Sequence, residues 1–331
     1  MKTFLKSFTP LLFLFLCQLA VAAPPAGWVV GWGDDVSGQT TGVPYFGYTN
    51  GVVTIDGQPI TNAVAVAAGK SYSLAICNDG TVVGWGDNSS SQTMGLKSSY
   101  PYRASGVVTI DGQVLSNVVE IAASWGQSCA RKNDGTVAAW GTAPDGNMLR
   151  SATGLSNVVS ISGWRSLAVK SDETIVSISD GKDYYRLSNI VAVAVQKQDH
   201  GNLIALKKGG AVLESISGRL NSFAPVPGLS NVVAIAAGQA RNVALKKDGT
   251  VVGWGYANDV PAGISNVVAI SEAEHNGLAL KSDGTVIAWG NFGFQPAIIP
   301  AGLSNVVAIA AGDDFSLAIT TNAAVAEKFR H

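Results

Sequence analysis

The side chains that could carry reaction chemistry are sparse in this 331-residue chain, and their spacing speaks against catalysis. The histidines are His200, His275 and His331, and the cysteines are Cys17, Cys77 and Cys129. A hydrolytic metal site sets two histidines one helical turn apart around a glutamate. A serine nucleophile stands between glycines as Gly-x-Ser-x-Gly, and a redox or metal pair uses Cys-x-x-Cys. None of these spacings occurs. Asp34, Asp87 and Asp145 each follow a Trp-Gly segment and read as turn formers, because short carboxylates bond nearby main chain. His200 and His275 read as solvated turn residues. A non-enzyme is expected, with no catalytic residue, no cofactor and no metal.

What remains is the chemistry of recognition. Tyr72, Trp125, Trp164 and Phe315 fall at corresponding points along the chain, with Arg165 and Arg241 beside such points and Lys70, Asp313 and Asp314 nearby. Rigid rings and guanidinium groups are the residue types that dominate protein-binding hot spots. These six residues, Tyr72, Trp125, Trp164, Arg165, Arg241 and Phe315, are the candidate partner-binding set. A secondary set is Tyr45, Phe46 and Tyr48 in one long connection and Tyr100 and Tyr102 in another.

The elements that must position these side chains come from a repeat. An Asn opens a short apolar run at Asn62, Asn117, Asn157, Asn189, Asn231, Asn266 and Asn305, at spacings between 32 and 55 residues, the range of propeller blades. The most regular unit, Asn231 to Gly255, reads NVVAIAAGQARNVALKKDGTVVGWG and divides at its glycines into three strand-length pieces. Its first piece is apolar throughout, as for a strand covered on both faces. The second ends in Asp248-Gly249, a hairpin signal repeated at Asp79-Gly80, Asp134-Gly135 and Asp283-Gly284. The third ends in a Trp between small residues, at Trp32, Trp85, Trp140, Trp254 and Trp289, and these indoles read as wedges between sheets. The opening Asn is expected to bond local main chain through its side chain. Two units are eroded, with Glu173 in place of the turn glycine in one and Gly209-Gly210 in the other, and both lack the Trp; looser packing is expected there.

The unit from Asn305 has only two strands, and Trp28 to Gly33, WVVGWG, is a third strand without a unit. Joined, they make one blade. The expected fold is an all-β, seven-bladed propeller whose ring is closed by the N-terminal strand. The connections Asp34 to Thr61 and Asp87 to Ser116 share GVVTIDGQ and read as paired insertions, expected on the face opposite the aromatic turns.

With NAVAVAAGKSYSLAICNDGTVVGWG at Asn62 to Gly86 and NVVAISEAEHNGLALKSDGTVIAWG at Asn266 to Gly290, the chain resembles the RCC1-type repeat over about residues 27 to 320. The segment WGDDVSGQTT at Trp32 to Thr41 is more similar to exported bacterial members, among them protein inhibitors of β-lactamase. That resemblance implies a propeller that covers a partner with one face. The family's frequent His before the second strand is replaced by Tyr72, Gln127, Arg165, Asn202, Arg241, Asn276 and Phe315, so no role tied to it carries over.

Lys2 and Lys6, an apolar stretch from Phe8 to Leu16 and Ala20-Val21-Ala22 read as a signal peptide over residues 1–22, followed by one domain over 23–331. The apolar run is too short for a stable membrane anchor. Cleavage leaves 20 basic and 23 acidic residues, a charge of 20 − 23 = −3, without runs of like charge, which makes nucleic acid an unsuited partner. A secreted or periplasmic monomer that binds a protein is expected. An inhibitor of a β-lactamase or cell-wall enzyme, a glycan-binding module, and a hydrolase or lyase are the alternatives. Cys77 and Cys129 read as packed, unpaired thiols.

Overall fold

The structure, a computed structural model, describes residues 25–96, 103–142, 148–152, 154–163, 166–196, 202–216, 222–239, 241–255, 259–292 and 295–329. Among these, seven sheets of three or four antiparallel strands follow one another along the chain, with two separate two-stranded hairpins. The fifth sheet shows the plan in Val232–Ala237, Arg241–Lys246 and Val251–Gly255. Elsewhere a fourth strand lies outside the third, as Arg103–Val107 does against Val82–Asp87 in the first sheet. First strands of successive sheets touch, and that of the seventh, Val306–Ala311, touches that of the first, Ala63–Ala68. Trp28–Asp34 pairs with Phe315–Thr320, so the opening and final strands share one sheet.

The first strands are half-buried, and the fully covered strand is the second, as in Tyr72–Cys77. This corrects the expectation from the apolar run. A first strand is bonded on one edge only, and its other edge meets the neighbouring first strands. The core therefore lies in the seams between sheets. In one seam Tyr72, Leu74, Ile76 and Val82 of the first sheet pack on Val118, Ala130, Ala138 and Trp140 of the second. Trp32, Trp85, Trp140 and Trp289 are buried wedges, while Trp254 is half-buried beside the eroded fourth sheet.

Six of the seven opening asparagines adopt left-handed backbone, with φ between 53° and 63°. Asn is the side-chain-bearing residue best suited to that conformation. The main chain does the work there, which revises the side-chain role expected above. Asn231 O accepts from Lys247 N at 2.8 Å in its own hairpin, and Val232 N donates to Gly210 O at 3.0 Å in the preceding sheet. The next residues form a β-bulge in all seven first strands. Asn62 is the exception in φ, and there Ala63 exchanges both main-chain bonds with Gly27 in place of the bond to a hairpin residue of the preceding sheet. In the eroded third sheet Glu173 takes the glycine's place at φ 70°, and its carboxylate accepts from Asn189 N at 2.6 Å.

After the last strand, Asn322 caps the short helix Ala323–Ala326 by accepting from Ala324 N at 3.0 Å. The helix and the turn after it lay Val325, Ala326 and Phe329 against Val30, Trp32 and Val52. Strand periodicity does not announce this element.

Candidate binding face

The residues that begin the second strands aim across the seams toward the next sheet. Tyr72 is fully buried; its hydroxyl donates to Gln127 O at 2.6 Å, accepts from Ser124 N at 3.1 Å and lies 2.8 Å from Ser128 Oγ. Phe315 is likewise buried, its ring closed over Gly312. Arg241 is buried with Nε on Glu272 Oε1 at 2.6 Å and Nη1 on Asp259. These three therefore stitch neighbouring sheets and do not present themselves to a partner, which corrects the expectation. Their position faces the adjoining sheet, so a large side chain there fills the seam. Trp164, Arg165, Tyr100, Tyr102, His200 and Asp145 lie outside the described residues.

Trp125 differs because it sits within the turn, two residues before the strand that begins at Gln127. It is 46% exposed, and the Lys70 ammonium stands 4.7 Å from its ring centre. Lys70 N donates to Ser124 O at 3.2 Å, so the two turns are joined through main chain as well.

The described part of the secondary set, Tyr45, Phe46 and Tyr48, lies on this same end of the strands, contrary to the expected opposite face. Tyr48 pairs with Asp34, and Gly33 pairs with Phe315. A fourth strand runs antiparallel to the third, so the connection leaving Trp-Gly starts where the first-to-second-strand turns are. Its loop is tied at both ends, with Asp35 N donating to Gly47 O at 3.1 Å and Tyr45 N to Asp35 O at 2.9 Å. Outside this frame Tyr45, Phe46 and Tyr48 stand 57%, 90% and 48% exposed.

The loop's other half is a latch. Gln39 Nε2 donates to Asp34 Oδ2 at 2.7 Å, which turns Gln39 O toward the first sheet, where it accepts from Ser73 Oγ at 2.7 Å and Trp85 Nε1 at 2.8 Å. The sister loop repeats this: Gln92 Nε2 donates to Asp87 Oδ2, and Gln92 O accepts from Ser128 Oγ and Trp140 Nε1, each bond at 2.7 Å. Gly84 is required beneath it, since a Cβ there would come within 2.2 Å of Thr93 O. Asp34 and Asp87 are turn formers, as the sequence implies.

Against known proteins, the Regulator of chromosome condensation (RCC1) repeat matches residues 63–92. Human WBSCR16 superposes with a TM-score of 0.67 at 15% identity, over 90% of this chain and all (100%) of that one. The ectodomain of the Physcomitrella patens receptor kinase CR4 gives 0.53 at 14% identity, covering 76% of this chain and 68% of that one. Yeast RCC1 (Prp20), solved with Kap60 bound, gives 0.50 at 16% identity over 98% of each chain. The chain folds as an RCC1-like β-propeller. No curated protein sequence matches it.

Within this propeller the titratable groups that depart from ordinary behaviour serve the blades. Burial raises Asp35 to about 6, against the lowering effect of Thr41 and Thr40 bonds. Its counterpart in the sister loop is Asn88, whose Oδ1 accepts from Thr93 N at 3.0 Å as Asp35 Oδ1 accepts from Thr40 N at 2.8 Å. Burial raises Glu272 to about 8 despite Arg241 and the Trp289 indole beside it. Cys77 and Cys129 are free and buried, and burial raises both thiols. His275 is exposed on the loop face, with Nδ1 3.1 Å from Asp314 Oδ1. Among the described residues no group of three or more His, Cys, Asp or Glu is placed to hold a metal ion, and no helix is long and apolar enough to cross a membrane.

Proposed function

We propose that the protein is an exported, non-enzymatic, seven-bladed propeller that binds a protein partner as a monomer, through the loops at one strand end. One observation carries the reading: Tyr45, Phe46, Tyr48 and Trp125 gather at the loop end with about half or more of each side chain in water. Soluble surfaces rarely concentrate rings this way unless something covers them. The opposite end contrasts with it. There Asp79, Asp134, Asp248 and Asp283 bond the threonine two residues on, and these bonds hold their carboxyls below the usual range.

Affinity capture from the envelope and secreted fraction of the source organism tests this, with the wild type beside a Tyr45→Ala, Phe46→Ala, Trp125→Ala variant. The changes are at exposed positions, so both baits are expected to fold alike by circular dichroism. A protein kept by the wild type alone supports the face and names the partner, whether a cell-wall enzyme, a β-lactamase or another protein. Equal capture by both sinks it. Export is tested separately by N-terminal sequencing of the secreted protein, expected to begin at Ala23.

A further inference from the structure

The two exposed aromatic sites on the loop face differ in the charge beside them. At Trp125 the chain supplies its own cation, since Lys70 already covers the ring at 4.7 Å. At Tyr48, which follows Tyr45 and Phe46 in the same loop, the adjoining acidic groups are the carboxylates of Asp34 and Asp314. Asp34 is the strand partner of Tyr48, and Asp34 N donates to Asp314 O at 2.9 Å, which sets the two acidic residues side by side. Their charge reaches the ring: the Tyr48 phenol is raised by burial, then by Asp314 and by Asp34. They also act on each other, since Asp34 is raised by burial foremost and by Asp314 in addition. Glu274 adjoins on the far side of His275, its Oε1 3.9 Å from His275 Nε2.

Ring faces with carboxylates at their edge are the complement of a guanidinium or ammonium group. The rings attract a cation through their negative faces, and the carboxylates bond it. A guanidinium on a hydrocarbon stem answers both halves of the surface.

We propose that the cluster of Tyr45, Phe46 and Tyr48 with Asp34 and Asp314 is the anchor of the binding face, and that it takes an arginine or lysine side chain projecting from the partner protein. This rests on the partner-binding reading above and specifies its chemistry. The rings give the site its contact area, while the carboxylates steer and orient the cation.

The test uses the whole protein and a fluorescent heptapeptide alternating glycine and arginine, with a second peptide carrying citrulline, the neutral isostere, in place of arginine. Fluorescence anisotropy is expected to show binding of the arginine peptide that weakens as salt rises from about 50 to about 500 mM. Tyr45→Ala with Phe46→Ala, and separately Asp314→Asn, are each expected to weaken it at least about tenfold. Asp248→Asn, at the opposite end, should leave it unchanged. Equal binding of the citrulline peptide, no binding of either, or insensitivity to the ring and Asp314 variants overturns the proposal. Displacement by a soluble oligosaccharide without any arginine dependence overturns it in favour of a glycan platform. A captured partner that depends on Trp125 but not on Tyr45 and Phe46 sinks this anchor while the binding face stands.

Discussion

The seams on either side of the first sheet and those around the fifth hold the same indole wedge in different ways. At Trp85 and Trp140 the acceptor is a main-chain carbonyl, Gln39 O or Gln92 O, brought in by a loop from the preceding sheet. At Trp254 and Trp289 carboxyl groups accept, Glu214 Oε2 and Glu272 Oε2, each at 3.1 Å. Glu214 pairs with Ile204 as Gly84 pairs with Leu74, so it occupies the place of the small residue that elsewhere admits the loop. A carbonyl brings no charge into the seam. A carboxyl group brings one when it loses its proton, and Arg241 of the fifth sheet stands beside Glu272 with Nε 2.6 Å from Oε1. The propeller thus closes equivalent seams with a main-chain latch at Trp85 and Trp140 and with a titratable carboxyl group at Trp254 and Trp289.

The largest effects should come from removing one half of either device. Above about pH 8, where Glu272 is ionised, Arg241→Met leaves it buried without its cation and is expected to cost about 3–5 kcal/mol in urea unfolding, with most of it recovered by adding Glu272→Leu. If the double variant is no more stable than the single one, the pair is not a unit. Trp140→Ala is expected to cost a similar amount, about 3–5 kcal/mol, through the cavity it opens. It should do so equally at pH 5 and pH 8, since a carbonyl does not titrate.

The carboxylate seam should respond to pH. Glu272, raised from 4.5 to about 8, keeps in the folded state a proton that the unfolded chain has already lost in between. Stability from this group is therefore present at low pH and declines as pH rises through about 4.5 to 8. Glu272→Gln should flatten that decline, and urea midpoints across the range that stay parallel to wild type would falsify the assignment. Asp35 works the same way in a lower window, from 3.8 to about 6. Asp35→Asn, which copies Asn88 of the sister loop, should remove the loss of stability on raising the pH through it. The smallest change is Lys70→Ala, expected to cost about 0.5–1 kcal/mol through the exposed ring contact with Trp125.

The local devices were legible because short-range stereochemistry dictates them. Asp-Gly marked the hairpins, although in the blades only the glycine carries positive φ; both residues do so in the insertions, at Asp56-Gly57 and Asp111-Gly112. The repeated Trp announced the wedges. The seven bulges went unread, since nothing in NVV distinguishes a bulged strand from a straight one until its neighbour is in place. The candidate site was legible in type and misplaced in part. Tyr72 and Trp125 look alike as turn aromatics, yet two residues of offset put the first inside a seam and the second in water.

Sequence by itself determined the repeat, the hairpins, the wedge positions and the scarcity of catalytic groups, because each depends on residues within a few positions of one another. Tertiary structure decided the rest. Which sheet end the insertions occupy follows from the antiparallel fourth strand. Whether a ring is anchor or packing follows from what the neighbouring sheet places against it. The meeting of Asp34 with Asp314 follows from a strand pairing between chain segments some 280 residues apart. Local chemistry fixes backbone preferences, while exposure and charge proximity belong to pairs of residues that only the folded chain brings together.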